Sequence, residues 1–281
     1  MNIRLLKVVA AALLYATSSI GFAGLANASP IIFATQESNN TLYSMSPTTG
    51  ALTAVGVMGA GSNHVTIAFA PNGTLYGVDS WNPFSGSYSL VKIDTNSGLA
   101  TPVASLVGVV STRFFTDIAF RDSDGALFGT TDIGGSGGQG VLWTIDTTTG
   151  VTTAIGSLPV RRGGGLAFAP DGTLYQTASG GVWTVDPSTA ATSFIGGATT
   201  IGALDFDPST GTLWAAGVNG SLGTIDTSTG AFGAVTNTAT RTNIAIQSSD
   251  ASVPEPSTIA VIGMALLSLF GFGLMRRRSE T

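Results

Sequence analysis

Short runs rich in β-branched and aromatic residues fill the chain between Ile31 and Ile246, broken by clusters of Gly, Pro, Asn, Asp and Ser. That pattern predicts strands separated by tight turns. One run recurs as a phrase: Val141-Leu142-Trp143-Thr144-Ile145-Asp146 followed by Thr147-Thr148-Thr149-Gly150. Its copies start at Leu90, Val182 and Leu222, and a weaker copy starts at Leu42.

Each copy of the phrase sits third in a unit of four predicted strands. A first strand is read at Thr66–Phe69, Asp117–Phe120, Gly165–Phe168 and Ala203–Phe206. A turn such as Pro71-Asn72-Gly73 or Pro170-Asp171-Gly172 follows, and Asn-Gly or Asp-Gly between apolar runs favours a hairpin. A second strand comes next, for example Thr74–Gly77, then the phrase, then a more polar fourth strand such as Val151–Gly156. The spacing from Asp94 to Asp146, Asp186 and Asp226 is 52, 40 and 40 residues. Four-stranded units at this period predict propeller blades, with an open β-solenoid as the alternative architecture.

The two ends of the repeat region are complementary fragments. Ile31–Ala34, the Leu42 copy and Leu52–Gly56 lack a first strand, whereas Asn243–Ile246 is a first strand with nothing after it. Joining them completes one blade and leaves no open sheet edge at the channel. The expected fold is therefore all-β: a five-bladed propeller of four-stranded blades, its ring closed by the C-terminal strand. It is flanked by an N-terminal signal peptide and a C-terminal transmembrane helix. WD-type signatures are absent, and no propeller family is assigned.

The flanks read as addresses. Arg4 and Lys7 precede an apolar run from Val8 to Leu25 and the small-x-small site Ala26-Asn27-Ala28. This is the order of a signal peptide spanning residues 1–28; an uncleaved anchor is the alternative. Residues 29–252 form the repeat domain. Residues 253–281 hold Pro254-Glu255-Pro256, an apolar run over 259–275 and Arg276-Arg277-Arg278. Seventeen residues of helix rise roughly 26 Å, close to the thickness of a bilayer core. The arginines favour a cytoplasmic end, as in a tail anchor.

That tripartite order resembles the PEP-CTERM sorting signal of exported bacterial proteins. The resemblance implies export across the inner membrane and retention by the C-terminal helix. It further implies processing by an exosortase-type membrane protease, then release to the cell surface or extracellular matrix. Proteins with this signal are typically associated with extracellular polysaccharide. The resemblance covers only the residues from Val253 onward.

Composition removes several classes of activity. There is no cysteine, so neither disulfides nor thiolate metal sites form. Between residues 29 and 252 stand 14 acidic and 6 basic residues, a net of −8, which argues against nucleic acid as a partner. His64 is the single histidine, read as a loop residue. The aspartates of the repeated phrase precede Thr-x-x-Gly turns and are expected to cap them. Asp122-Ser123-Asp124-Gly125 lacks the later ligands of a calcium loop and reads as a hairpin turn. Arg161-Arg162-Gly163-Gly164-Gly165 reads as an inter-blade loop.

Two departures from the repeat are the candidate sites. Asp205 stands where the other units have Ala68, Ala119, Ala167 and Ala245, so it breaks the local pattern on a strand that lines the channel. Asp117 and Asn243 occupy strand-entry positions near it. No resident cofactor is expected; the alternative is Ca²⁺ held by the oxygens of Asp117 and Asp205. The second departure is an insertion, Ser80 to Tyr88, whose Trp81, Phe84 and Tyr88 form an expected aromatic binding surface. No catalytic residue is assigned. The favoured reading is an exported, non-catalytic binding or structural protein associated with exopolysaccharide. The alternatives are a propeller hydrolase or lyase using channel carboxylates, and a purely structural surface protein.

Overall fold

The computed structural model describes residues 29–247, except 37–38, 60–64, 83–86, 110–112, 134–138, 159–162, 179, 198–200 and 238–241. Side chains at a few flanking positions, Trp81 among them, also fall outside the description. Residues 1–28, His64, Phe84, Arg161 and Arg162 lie outside it. So do Pro254, Glu255, Pro256, the 259–275 run and Arg276–Arg278. Among the described residues, no helix is long and apolar enough to cross a membrane.

Among the described residues there are twenty strands. The first three are β1 (Ile31–Gln36), β2 (Thr41–Met45) and β3 (Leu52–Val57). Four complete blades follow. They are β4 (Val65–Phe69), β5 (Leu75–Asn82), β6 (Ser87–Ile93) and β7 (Ala100–Ser105); then β8 (Arg113–Arg121), β9 (Ala126–Ile133), β10 (Gly140–Ile145) and β11 (Thr152–Leu158). Next come β12 (Gly163–Phe168), β13 (Leu174–Ala178), β14 (Gly181–Val185) and β15 (Thr192–Gly197), then β16 (Ile201–Phe206), β17 (Leu213–Gly217), β18 (Ser221–Ile225) and β19 (Phe232–Asn237). The last strand, β20 (Thr242–Gln247), pairs antiparallel with β1 in register Ile32 to Ile246 and Ala34 to Ile244. The sheets are therefore β20-β1-β2-β3 and four consecutive meanders. Their inner strands touch in the order β20, β4, β8, β12, β16 and back to β20, which closes a ring of five blades. The expected propeller and its C-terminal closure are what the chain adopts.

Aromatic pairs join the blades near the axis. The inner-strand Phe69, Phe120, Phe168 and Phe206 each meet an aromatic ring of the preceding blade. Their partners are Phe33 at 5.7 Å, Tyr76 at 5.3 Å, Phe128 at 5.1 Å and Tyr175 at 5.6 Å. Tilted and edge-on pairs at these separations add to the area they bury. At the fifth joint Ile246 replaces the phenylalanine, and Trp214 packs against the cluster that holds it.

The repeated phrase has a second use at the periphery. Its turn docks on the outer strand of the preceding blade. A Cβ on Gly56 would run into the Ser97 carbonyl, one on Gly150 into Ser105, and one on Gly196 into Thr229. The joint between the last blade and the first is made by the Thr236 hydroxyl, which donates to the Thr49 carbonyl at 2.8 Å. Ala190 takes the glycine's place in the fourth copy and still adopts φ 61°, buried at this contact. Holding a residue with a Cβ there costs roughly 1–2 kcal/mol. The close packing of the turn against Gly156 sets that geometry.

Candidate functional site

Every 1–2 turn and every 3–4 turn lies on one face of the ring, because successive strands of a meander alternate in direction. The capping aspartates are on this face. Asp94, Asp146 and Asp226 each accept backbone N–H groups from two and three residues ahead. Asp186 accepts the Ser188 N–H and its hydroxyl. These donors, backbone and side-chain together, hold all four carboxyls below the usual carboxylate range. Ser46 Oγ accepts the Thr49 N–H in the first copy, as a weaker cap. Asp122 to Gly125 is a hairpin turn: Gly125 N donates to the Arg121 carbonyl, and Arg121 clamps Asp124 at 2.6 Å.

Asp117 sits at the axis. Its Oδ1 accepts the Thr66 hydroxyl at 2.7 Å and the Ile118 N–H at 2.9 Å. Its Oδ2 accepts the N–H groups of Leu166 at 2.8 Å and Leu204 at 3.4 Å. One carboxyl thus bonds to β4, β8, β12 and β16, four of the five inner strands. The fifth, β20, is tied in through Asn243, whose Nδ2 donates to the Val65 carbonyl at 3.3 Å; Thr35 donates to the same carbonyl at 2.6 Å. Asp117 is 1% exposed. Burial pushes its carboxyl up to about 8, against the downward pull of its four donors.

This corrects the expectation of Asp117 as a cation ligand or catalytic channel acid. Both oxygens are occupied by donors from the protein, and the group is closed to solvent. Among the described residues, no three His, Asp or Glu side chains gather in a way that could hold a metal. Asp117 and Asp205 share no hydrogen bond. The Thr66 and Leu166 partnerships have no signal in the local pattern, although a buried Asp among Thr66, Gly165, Ala203 and Asn243 at the same repeat position is itself a departure.

Asp205 is half-buried and lies nearer the turn face. Its Oδ1 accepts the Phe206 N–H at 2.9 Å, and its Oδ2 accepts the Ile246 N–H at 2.7 Å, which fastens β16 to the ring-closing β20. Burial pushes its carboxyl up to about 7, with Asp122 and Asp207 adding repulsion. It lines a cavity of about 400 Å³ at the axial mouth. The polar residues there are Asn72, Asp122, Asp205 and Gln247; the inner-strand phenylalanines supply apolar wall.

The described part of the aromatic insertion is strand. β5 and β6 extend into it, with Asn82 opposite Ser87, as a long hairpin at the face opposite the cavity. Tyr88 is the clear correction: it is 1% exposed and packs edge-on against Phe115 at 5.6 Å, inside the core between two blades. The Phe115 ring it meets lies in turn over Gly129, where a Cβ would run into that ring. Trp81 lies in β5, its side chain outside the described residues, as is Phe84. Asp205 and the hairpin therefore stand at opposite ends of the ring, and the four expected ligand residues do not form one site.

Gln176 is a group the sequence reading missed. It is fully buried, and neither its Oε1 nor its Nε2 meets a partner among the described residues. The other blades have Ala34, Gly77, Gly129 and Ala215 at this position, so the signal was again a break in the repeat. In the two preceding blades Val65 and Phe115 of the inner strand lie over Gly77 and Gly129; here Gly164 stands at the position of Val65, and the larger side chain is on the second strand instead.

Residues 104–247 match the family described as a repeat of unknown function, DUF6923, and residues 252–278 match the PEP-CTERM protein-sorting motif. No curated protein matches the chain. Among solved structures, a protein described as a putative gluconolactonase is 15% identical with a TM-score of 0.49, over 76% of this chain and 83% of that one. A gluconolactonase from Xanthomonas campestris is 16% identical with a TM-score of 0.48, over 72% and 70%. A symmetrical protein from a study of de novo evolutionary emergence is 22% identical with a TM-score of 0.47, over 74% and 93%. The architecture given above rests on the chain's own strand pairing. The sorting motif indicates export and membrane-anchored processing by exosortase-type machinery.

Proposed function

We propose, for a chain that belongs to DUF6923, a family of repeats of unknown function, a role as an exported surface protein that binds extracellular polysaccharide without transforming it. The observation that carries this reading is the sorting motif at residues 252–278. The rest is support. The domain boundaries follow as a signal peptide over 1–28, the ring over 29–252 and the sorting segment over 253–281. The blades are joined to one another by packed aromatics or docked turns. The polysaccharide contact falls to the β5–β6 hairpin with Trp81 and Phe84, since aromatic faces with polar neighbours suit sugar rings.

Localisation tests the address. With Pro254, Glu255 and Pro256 replaced by alanine, the protein is expected to stay in the membrane fraction, while the unaltered chain moves to the surface-polysaccharide fraction. Identical distribution of the two would refute processing at this motif.

One observation favours a second reading. Asp205 combines a cavity with a carboxyl held near 7, the setting of a general acid. In that reading the protein is a hydrolase or lyase. Turnover of the host polysaccharide that disappears in Asp205→Asn, with the fold intact, would select it over the binding reading.

A further inference from the structure

The chain enters and leaves the ring on the same face, and leaves it close to the axis. Ile31, the first residue of β1, pairs with Gln247, the last residue of β20. Ile246 and Gln247 both line the axial cavity. β20 occupies the same inner position as β4, β8, β12 and β16, whose C-terminal ends lead into the turns of the cavity face. The exit is therefore in the cavity wall, near the centre of that face and not at the rim.

The distance from exit to anchor is short. Four residues separate Gln247 from the start of the sorting motif at residue 252, and eleven separate it from the apolar run that begins at Ile259. Eleven residues span at most about 40 Å fully extended. The strands that set the thickness of the ring span roughly 17–20 Å for five or six residues. A tether whose full reach is about twice that thickness, fixed near the centre of one face, biases that face toward the anchor.

We propose that the cavity-bearing face is the membrane-facing surface of the protein before processing, and that the face with the β5–β6 hairpin points away from the bilayer. The inference rests on the membrane-anchored processing that the sorting motif indicates. It assigns the two ends of the ring different exposure in time: the hairpin is accessible throughout, and the axial cavity is open to a large polymer only after cleavage. Charge is consistent with release. Asp94, Asp122, Asp146, Asp186 and Asp226 all lie on the cavity face, so anionic lipid repels it. The tether, not adhesion, holds the ring near the bilayer, and cutting the tether frees it.

The test uses the full chain, which has no cysteine of its own. Ser123 is exposed in a turn on the cavity face, and Val218 is exposed in a 2–3 turn on the other face. A donor dye is placed on Ser123→Cys or on Val218→Cys, and each protein is inserted in phosphatidylcholine vesicles containing an acceptor-labelled lipid. The expected result is energy transfer about twofold or more greater from position 123, since the positions differ in height by roughly one strand length. Equal transfer, or more from position 218, overturns the orientation. No transfer from either position shows that the chain is not membrane-anchored, and overturns the sorting premise and the inference together.

Discussion

Asp117→Ala is expected to remove most of the ring's stability. The substitution takes the acceptor from the Thr66 hydroxyl and from the Ile118, Leu166 and Leu204 N–H groups at once. Each buried donor left unmade costs about 1–3 kcal/mol, against a total of about 5–15 kcal/mol for a typical domain. A loss of about 4 kcal/mol or more is expected in urea titrations of the exported protein. Asp117→Asn keeps one acceptor oxygen at the same place. Its one oxygen can still accept from Leu166 and Leu204, and its amide can donate to the Thr66 hydroxyl, so only the Ile118 N–H is stranded. About 1–2 kcal/mol is expected there. A change below about 1 kcal/mol in Asp117→Ala would show that the axis is not held by this carboxyl.

The second large effect is a fall in stability from about pH 5 to pH 8. Asp117 is raised from 3.8 to about 8 in the fold, and Asp205 from 3.8 to about 7. Between those limits the folded ring binds protons that the unfolded chain has lost, so stability declines as pH rises. Each such group contributes a slope of about 1.4 kcal/mol per pH unit while it is protonated only in the fold. The turn aspartates act in the other direction. Asp94, Asp146, Asp171, Asp186 and Asp226 are lowered, and Asp124 is lowered to about 2. Their contribution is present above 3.8 and lost as pH falls below it. Stability is therefore expected to peak near pH 4–5. Thermal melts followed by circular dichroism check this, with a Tm at pH 5 several degrees above that at pH 8. Asp205→Asn should flatten the slope between pH 4 and 7 while leaving the fold intact. A Tm that rises from pH 5 to pH 8 would contradict the assignment of both buried acids.

Most of the blade was legible because its determinants are local. The β-branched and aromatic runs, the Asn-Gly and Asp-Gly turns and the capping aspartates lie within a few residues of the groups they organise. The closure by β20 was legible as well, since a lone first strand at one end and three strands at the other fit only together. What was not legible is what neighbouring blades do to each other. The partners of Asp117 lie 51, 49 and 87 residues away. The same holds for Tyr88. Its loop composition pointed to exposure, but a tyrosine at the base of a long hairpin reaches Phe115 of the next blade and is buried there. The glycine of the repeated phrase is a turn residue, as its local sequence implies. Its second task, letting the turn close on the previous blade, depends on Gly56, Gly156 or Gly196, more than thirty residues earlier.

The central claim is that the exported ring binds polysaccharide through the β5–β6 hairpin. Affinity electrophoresis tests it most directly, with the exported protein run through native gels cast with and without the producing organism's own extracellular polysaccharide. Retarded migration in the polysaccharide gel is predicted for the unaltered protein and for Asp205→Asn, with retardation largely lost in Trp81→Ala. Unchanged mobility of the unaltered protein, or retardation that survives Trp81→Ala, would contradict it.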